Sequence, residues 1–231
     1  MAEPFGPAGP QPFPQDWASL LVLVPHPDDP EYGIAAAVAK WTAAGKTVRY
    51  ALASSGEAGI AGLEPQQAGP LREDEQRRAA AIVGVPDVEF WGFPDSNILN
   101  TPELRAKIAS VIAEARPDVV VTIYGGAEFG PGMPNQRDHI EFAAAVTDAW
   151  DTLTDKPRWL FQGGPGPTHV EDVAGYLDIA TESLAAHEVY LSVLDPATPV
   201  HEQARKVVDM TTSAHPGHRV AGFRLQRSAV A

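Results

Sequence analysis

The sequence predicts an α/β fold with a mostly parallel sheet, and three observations lead there. Apolar runs of strand length alternate with helical segments from Leu20 to Ala149. The connections between them are short. The first run, Leu20 to Val24, is apolar throughout, as expected of a parallel strand covered on both faces. Such alternation builds right-handed βαβ units, here a Rossmann-like three-layer α/β/α arrangement.

After the first strand, an alanine-rich helix is predicted over Glu31 to Ala44, closed by Gly45, which suits the left-handed position that ends a helix. Thr47 to Ala53 reads as the second strand, Leu71 to Val83 as a helix stopped by Gly84, and Val88 to Trp91 as the third strand. Thr101-Pro102-Glu103 opens a helix to Ala115 with a hydroxyl cap, a first-turn proline and an early acid. Val119 to Thr122 is the next strand and Asp138 to Ala149 the next helix. Beyond Trp150 the pattern weakens: Arg158 to Gln162 and Tyr176 to Ile179 read as strands, Glu182 to Leu194 as a helix, and the last stretch has no clear period.

The length of 231 residues suits one domain, and 44% hydrophobic content supplies a sizeable core. Residues 1–15 carry five prolines and two glycines and read as a disordered tail, leaving 16–231 as the single domain. A formal net charge of −13 repels phosphate backbones and anionic lipid, which argues against nucleic-acid and membrane-surface partners. No apolar window is long enough to span a bilayer and no signal-peptide pattern opens the chain, so a cytoplasmic location is expected. The chain has no cysteine, so any metal must be held by histidine and carboxylate.

In open parallel sheets ligands sit outside the carboxyl ends of the strands. The segment Pro25-His26-Pro27-Asp28-Asp29-Pro30-Glu31 follows the first strand there. Its prolines fix φ and withhold N–H groups, which stiffens a loop carrying one imidazole and two aspartates. His26 and Asp29 suit one cation as nitrogen and oxygen ligands, leaving Asp28 for proton transfer beside it. The same residues also read as a plain helix start, with Asp29 as N-cap and Glu31 favoured by the dipole. Far along the chain, a loop with Gly125, Gly126, Gly130 and Gly132 leads into Asn135-Gln136-Arg137-Asp138-His139 on the same edge of the sheet. His139 is a candidate third ligand, giving a two-histidine, one-aspartate set with the fourth zinc position open. Asp138 suits capping its own helix.

On these residues the sequence resembles the LmbE-like/PIG-L family of zinc-dependent N-deacetylases: Pro25 to Glu31 match its P/A-H-P-D-D-x-E pattern, and Asp138 and His139 match the end of its H-x-D-H pattern. The resemblance implies that Zn2+, or another divalent metal, sits on His26, Asp29 and His139, with Asp28 as general base. It implies hydrolysis of an N-acetyl or related N-acyl group on a small N-acetylglucosamine-type sugar or conjugate. It extends to Ser55-Gly56-Glu57, to Arg72 with Glu75 and Ala79, and to Gly92-Phe93-Pro94-Asp95, which puts Arg72, Asp95 and Glu57 in the family's substrate-contacting positions. On sequence alone Arg72 is equally a surface ion-pair partner, Asp95 a turn former and Glu57 a loop-ordering carboxylate. One position departs from the pattern: Gln136 replaces the first histidine of H-x-D-H. Its amide can donate a hydrogen bond to a developing oxyanion but has no acidic proton near neutral pH. Asp28 must then return the proton to the leaving amine, or one of His169, His187, His201, His215 and His218 must supply it. A homo-oligomer is compatible with all of this.

Two rival readings remain. A metal-binding pseudoenzyme of the same fold follows from Gln136. A nucleotide-binding protein shares the fold class, but Gly56, Gly59 and Gly62 are spaced G-x-x-G-x-x-G and follow the second strand, not the first.

Overall fold

The structure is a computed structural model and describes residues 9–215 and 218–230. The core is a run of parallel strands: β2 (Ser19–Val24), β3 (Thr47–Leu52), β4 (Val88–Phe90), β5 (Val119–Thr122) and β8 (Trp159–Gly163), with β1 (Gln11–Pro12) and the two-stranded hairpin of β6 (Glu128–Gly130) and β7 (Met133–Pro134) completing the numbering to that point. In space the parallel strands lie in the order β4-β3-β2-β5-β8. Alternation along β2 divides the core between the two faces of the sheet. Leu20, Val22 and Val24 pack on one side with Val38, Trp41 and Phe161, while Leu21 and Leu23 pack on the other with Ile108, Phe142 and Trp150.

Five helices accompany these strands: α1 (Asp29–Gly33), α2 (Ala35–Ala43), α3 (Pro65–Ile82), α4 (Pro102–Ala115) and α5 (Arg137–Thr152). The single helix expected over 31–44 is two, broken at Ile34, whose φ of −132° and ψ of 0° leave the helical region. The helix expected from Leu71 begins six residues earlier, at Pro65 in the first turn, and runs through Pro70. Pro70 lies past the first turn and removes the bond that its N–H would have made to Gln66 O, yet the helix continues through it.

The C-terminal part differs most from the expectation. It comprises β9 (His169–Asp172), α6 (Leu177–Ala185), α7 (Glu188–Leu194), α8 (Val200–Thr211), β10 (Ser213–His215) and β11 (His218–Ser228). The strand expected at Tyr176 to Ile179 is instead a 3-10 turn at Ala174–Tyr176 running into α6, because a stretch of four residues has too little period to separate helix from strand. The helix expected over 182–194 is interrupted at Ala186-His187, where the imidazole turns fully inward. The stretch without visible period holds α8 and the longest strand, β11, which pairs antiparallel with both β8 and β9. The boundary drawn after residue 15 does not hold. β1 pairs parallel with β9, and Phe13 is buried among Trp17, Trp41, Phe161 and Phe223. A composition average over a proline-rich stretch hides one well-placed aromatic anchor; residues 1–8 lie outside the described part.

Candidate metal centre and active site

The order β4-β3-β2-β5-β8 reverses its winding between β2 and β5. A crevice opens at such a switch point, outside the carboxyl ends of the two strands. The loop after β2 carries His26, Asp28 and Asp29, and the connection after β5 leads to the start of α5 with Asp138 and His139. The two sequence-predicted clusters therefore meet at this crevice, their imidazole centroids 5.4 Å apart.

Asp29 is not a helix cap. Its Oδ2 accepts the His26 backbone N–H at 2.8 Å, and its Oδ1 lies 3.1 Å from His139 Nε2. The N-cap of α1 is Asp28, in the left-handed region at φ 85° with no capping hydrogen bond from its side chain. Such a conformation costs about 1–3 kcal/mol in a non-glycine residue and persists only when its surroundings enforce it. Here Gln76 Oε1 accepts the Asp28 N–H at 2.7 Å, the Asp28 carbonyl accepts from Glu31 and Tyr32, and Arg72 Nη2 stands 3.3 Å from Asp28 Oδ2.

His26 Nε2 faces two carboxylates, Asp138 Oδ2 at 3.2 Å and Asp95 Oδ1 at 3.3 Å, which leaves Nδ1 on the Asp29 side at 3.5 Å from Oδ2. Asp138, read as a cap from sequence, thus orients His26. His139 Nδ1 is 3.0 Å from Asn135 Oδ1, whereas its Nε2 is buried and has no hydrogen-bond partner despite its nearness to Asp29. One ligand atom from each of His26, Asp29 and His139 lies within 4.8 Å of the others. Donors on a tetrahedral zinc, with bonds of about 2.0–2.1 Å, stand about 3.3 Å apart, so the residues present fit such an ion. A buried nitrogen without a partner costs about 1–3 kcal/mol, and a cation shared with Asp29 provides the partner.

The electrostatics suit a positive charge. Four carboxylates, Asp28, Asp29, Asp95 and Asp138, crowd two imidazoles and one guanidinium. Burial opposes charge on His26, yet hydrogen bonds to Asp138 and Asp29 outweigh it and push the imidazole up to about 10. Burial likewise works against the Asp29 anion, but its attraction to the neighbouring His139 holds it below the usual carboxylate range. Burial pushes Asp28 up to about 6, with the Arg72 charge opposing.

Arg72, expected on the substrate, is turned inward. It is buried, its Nη groups donate to Gly56 O and Pro27 O, and its guanidinium stacks 4.0 Å over the Tyr190 ring of α7. With those atoms engaged, it braces the Asp28 loop from behind, and its burial does not fit the surface ion-pair reading. Glu57 and Asp95 clamp one another's loops: Glu57 Oε1 accepts the Asp95 N–H and Asp95 Oδ2 accepts the Ala58 N–H, both at 2.9 Å. This matches the loop-ordering alternative for Glu57, and it leaves Asp95 as a partner of His26. Gln136 is exposed at the N-cap of α5.

Sequence reasoning missed the supports behind the loop. Gln76 bridges the Asp28 backbone to Glu31, donating to both of its carboxylate oxygens, and His187 Nε2 lies 3.3 Å from Glu31 Oε2. Burial pushes Glu31 up to about 8 and His187 down to about 4. Glu75 fastens α7 by accepting the Val189 N–H at 2.6 Å. Glu31 lay within the first motif; Gln76 had no signal beyond sharing a predicted helix with Arg72. His187, one of the histidines outside the motifs, reaches this network through Glu31.

Comparison with known proteins agrees with this geometry. The profile of the PIG-L family, described as GlcNAc-PI de-N-acetylase, matches residues 21–150. A probable N-acetyl-alpha-D-glucosaminyl L-malate deacetylase 2 from Bacillus anthracis is 30% identical over 84% of this chain and 88% of its own length. Diacetylchitobiose deacetylase from Thermococcus kodakarensis is 33% identical over 72% of this chain and 62% of its own. Among solved structures, N,N'-diacetylchitobiose deacetylase from Pyrococcus horikoshii shares the fold with a TM-score of 0.77 at 16% identity, covering 91% of this chain and 84% of that one. With more than half of its length matched by the family profile and its histidines and aspartates gathered at the switch point, the chain belongs to the PIG-L (LmbE-like) family.

Proposed function

We propose that the chain is a metal-dependent N-deacetylase that hydrolyses the acetamide of a small N-acetylglucosamine-type sugar or conjugate. The observation that carries this is the convergence of His26, Asp29 and His139 on one point with Asp28 alongside. A divalent ion held there, zinc being the natural choice for two imidazoles and a carboxylate, supplies Lewis-acid polarisation of the scissile carbonyl and makes water more acidic.

The chain's own residues do the rest. Asp138 and Asp95 occupy His26 Nε2, so Nδ1 turns to the ion. Asp28 takes a proton from the attacking water. Since Gln136 has no acidic proton, Asp28 also returns that proton to the nitrogen as the amide C–N bond breaks, releasing acetate and a free amine. A carboxyl pushed up to about 6 suits both directions near neutral pH. Gln136, exposed beside the site, donates a hydrogen bond to the developing oxyanion. Arg72 acts through Asp28 and its loop as a positioning residue. The net charge of −13 disfavours nucleic acid and anionic membranes as partners, no helix among the described residues is long and apolar enough to cross a membrane, and the expected setting is the cytoplasm. The pseudoenzyme reading rests on Gln136 alone, and the relatives named as deacetylases weigh against it.

Acetate and amine release from a panel of N-acetylated sugars and conjugates, using zinc-loaded protein, tests this. Asp28→Asn should retain stoichiometric zinc and lose about 10²–10⁴-fold in turnover. Zinc binding by the wild type with no release from any panel member would favour the pseudoenzyme instead.

A further inference from the structure

Asn135 stands between the hairpin and the metal-facing histidine, and its carboxamide uses all of its hydrogen-bonding capacity. Nδ2 donates to Tyr124 O and Gly126 O, both at 2.8 Å, while Oδ1 accepts from the Gln136 N–H at 2.8 Å and meets His139 Nδ1 at 3.0 Å. Its backbone N–H adds a bond to Ala127 O at 2.9 Å. The two carbonyls only accept, so the amino half must face them and the oxygen half must face His139. That oxygen also only accepts, so His139 Nδ1 carries a proton and Nε2 is the nitrogen turned to Asp29. Nε2 is the buried atom without a hydrogen-bond partner, on the Asp29 side.

The hairpin then closes over the same ring. Phe129 meets the His139 imidazole edge-on at 6.2 Å between centroids and leans on Tyr124 at 5.7 Å. Gly126 leaves room for that ring, since a Cβ there would lie 2.1 Å from Tyr124 Oη unless the tyrosine moved. A single side chain therefore joins the end of β5, the β6–β7 hairpin and the first turn of α5.

We propose that Asn135 is a positioning residue that keeps a proton on His139 Nδ1, presents Nε2 as the metal ligand, and couples that ligand to the hairpin. The affinity part rests on the metal-site reading above; the protonation part does not. The test uses two variants and two readouts on the full chain. Nitrogen-15 NMR of the zinc-free protein should show wild-type His139 protonated at Nδ1, and Asn135→Ala should move it toward a proton on Nε2 alone. Chelator-competition titration with Zn2+ should show Asn135→Ala binding about 10–100-fold more weakly. Asn135→Asp keeps the acceptor oxygens but loses both donors to the backbone carbonyls, so it should lower Tm while keeping the Nδ1 proton, and zinc affinity within about threefold. It also decides the matter if the alanine variant fails to fold. A proton on Nε2 alone in the wild type or in Asn135→Asp, or wild-type protonation and affinity in Asn135→Ala, would overturn the proposal. Failure of the wild type to bind zinc would overturn the affinity part together with the metal-site reading, and the NMR result would still decide the protonation part.

Discussion

Behind Asp28, the buried pair Glu31 and His187 holds one proton from about pH 4 to about pH 8, on the carboxyl, because burial disfavours charge on both groups. In the unfolded chain their ordinary values are 4.5 and 6.5, so between those two the unfolded pair also holds one proton, on the imidazole, and the pair gives no pH dependence. Above 6.5 the unfolded pair holds none while native Glu31 keeps its proton up to about 8. Stability therefore falls as pH rises through that window, by about 2 kcal/mol from this pair. Glu31→Gln keeps the neutral shape and should remove the loss in urea unfolding of zinc-free protein at pH 6.5 and 8; equal losses in both proteins would show that the pair does not titrate this way. The ligand candidates were legible because their chemistry is written in one seven-residue segment and one helix start. Gln76 and His187 were not, since what brings them to Asp28 and Glu31 is packing between elements far apart in sequence.

At the level of elements, β2 was readable because a strand covered on both faces is apolar nearly throughout, whereas β3 and β4, which carry Arg49 and Glu89, were readable from their place in the alternation. Breaks inside helices were not. The turn at Ala186-His187 serves an inward-facing imidazole, and nothing local in Ala-Ala-His-Glu announces it. The N-terminal segment is the plainest case, because proline-rich composition concealed Phe13, which sits in a cluster of four aromatic rings. Phe13→Ala should cost about 3–5 kcal/mol in equilibrium unfolding, the usual range for a buried phenylalanine. A cost below about 1 kcal/mol would make β1 an ornament of the fold rather than part of its core.

For the whole molecule, the carboxyl edge of the sheet was foreseeable from the alternation of strands and helices, whereas the switch point between β2 and β5 depends on the strand order, which alternation does not fix. An ion held by His26, Asp29 and His139 would tie together parts of the chain more than 100 residues apart. Zinc at 100 times its Kd should then add about 2.7 kcal/mol of stability, read as a rise in Tm. His139→Ala should lose that rise while keeping a folded zinc-free state; an undiminished rise would place the ion elsewhere.

β11, formed by residues 218–228, is inserted between β8 and β9, and β9 is the strand on which β1 pairs. During synthesis on the ribosome, β2, β3, β4, β5 and β8 can assemble as they emerge, but the segment around Gln11 has no sheet to join until the final strand leaves the exit tunnel. β1 thus leaves the ribosome well before the strand that seats its partner β9, and a nascent chain stalled before residue 218 would hold Phe13 without Phe223 against it, a gap open to chaperones and proteases.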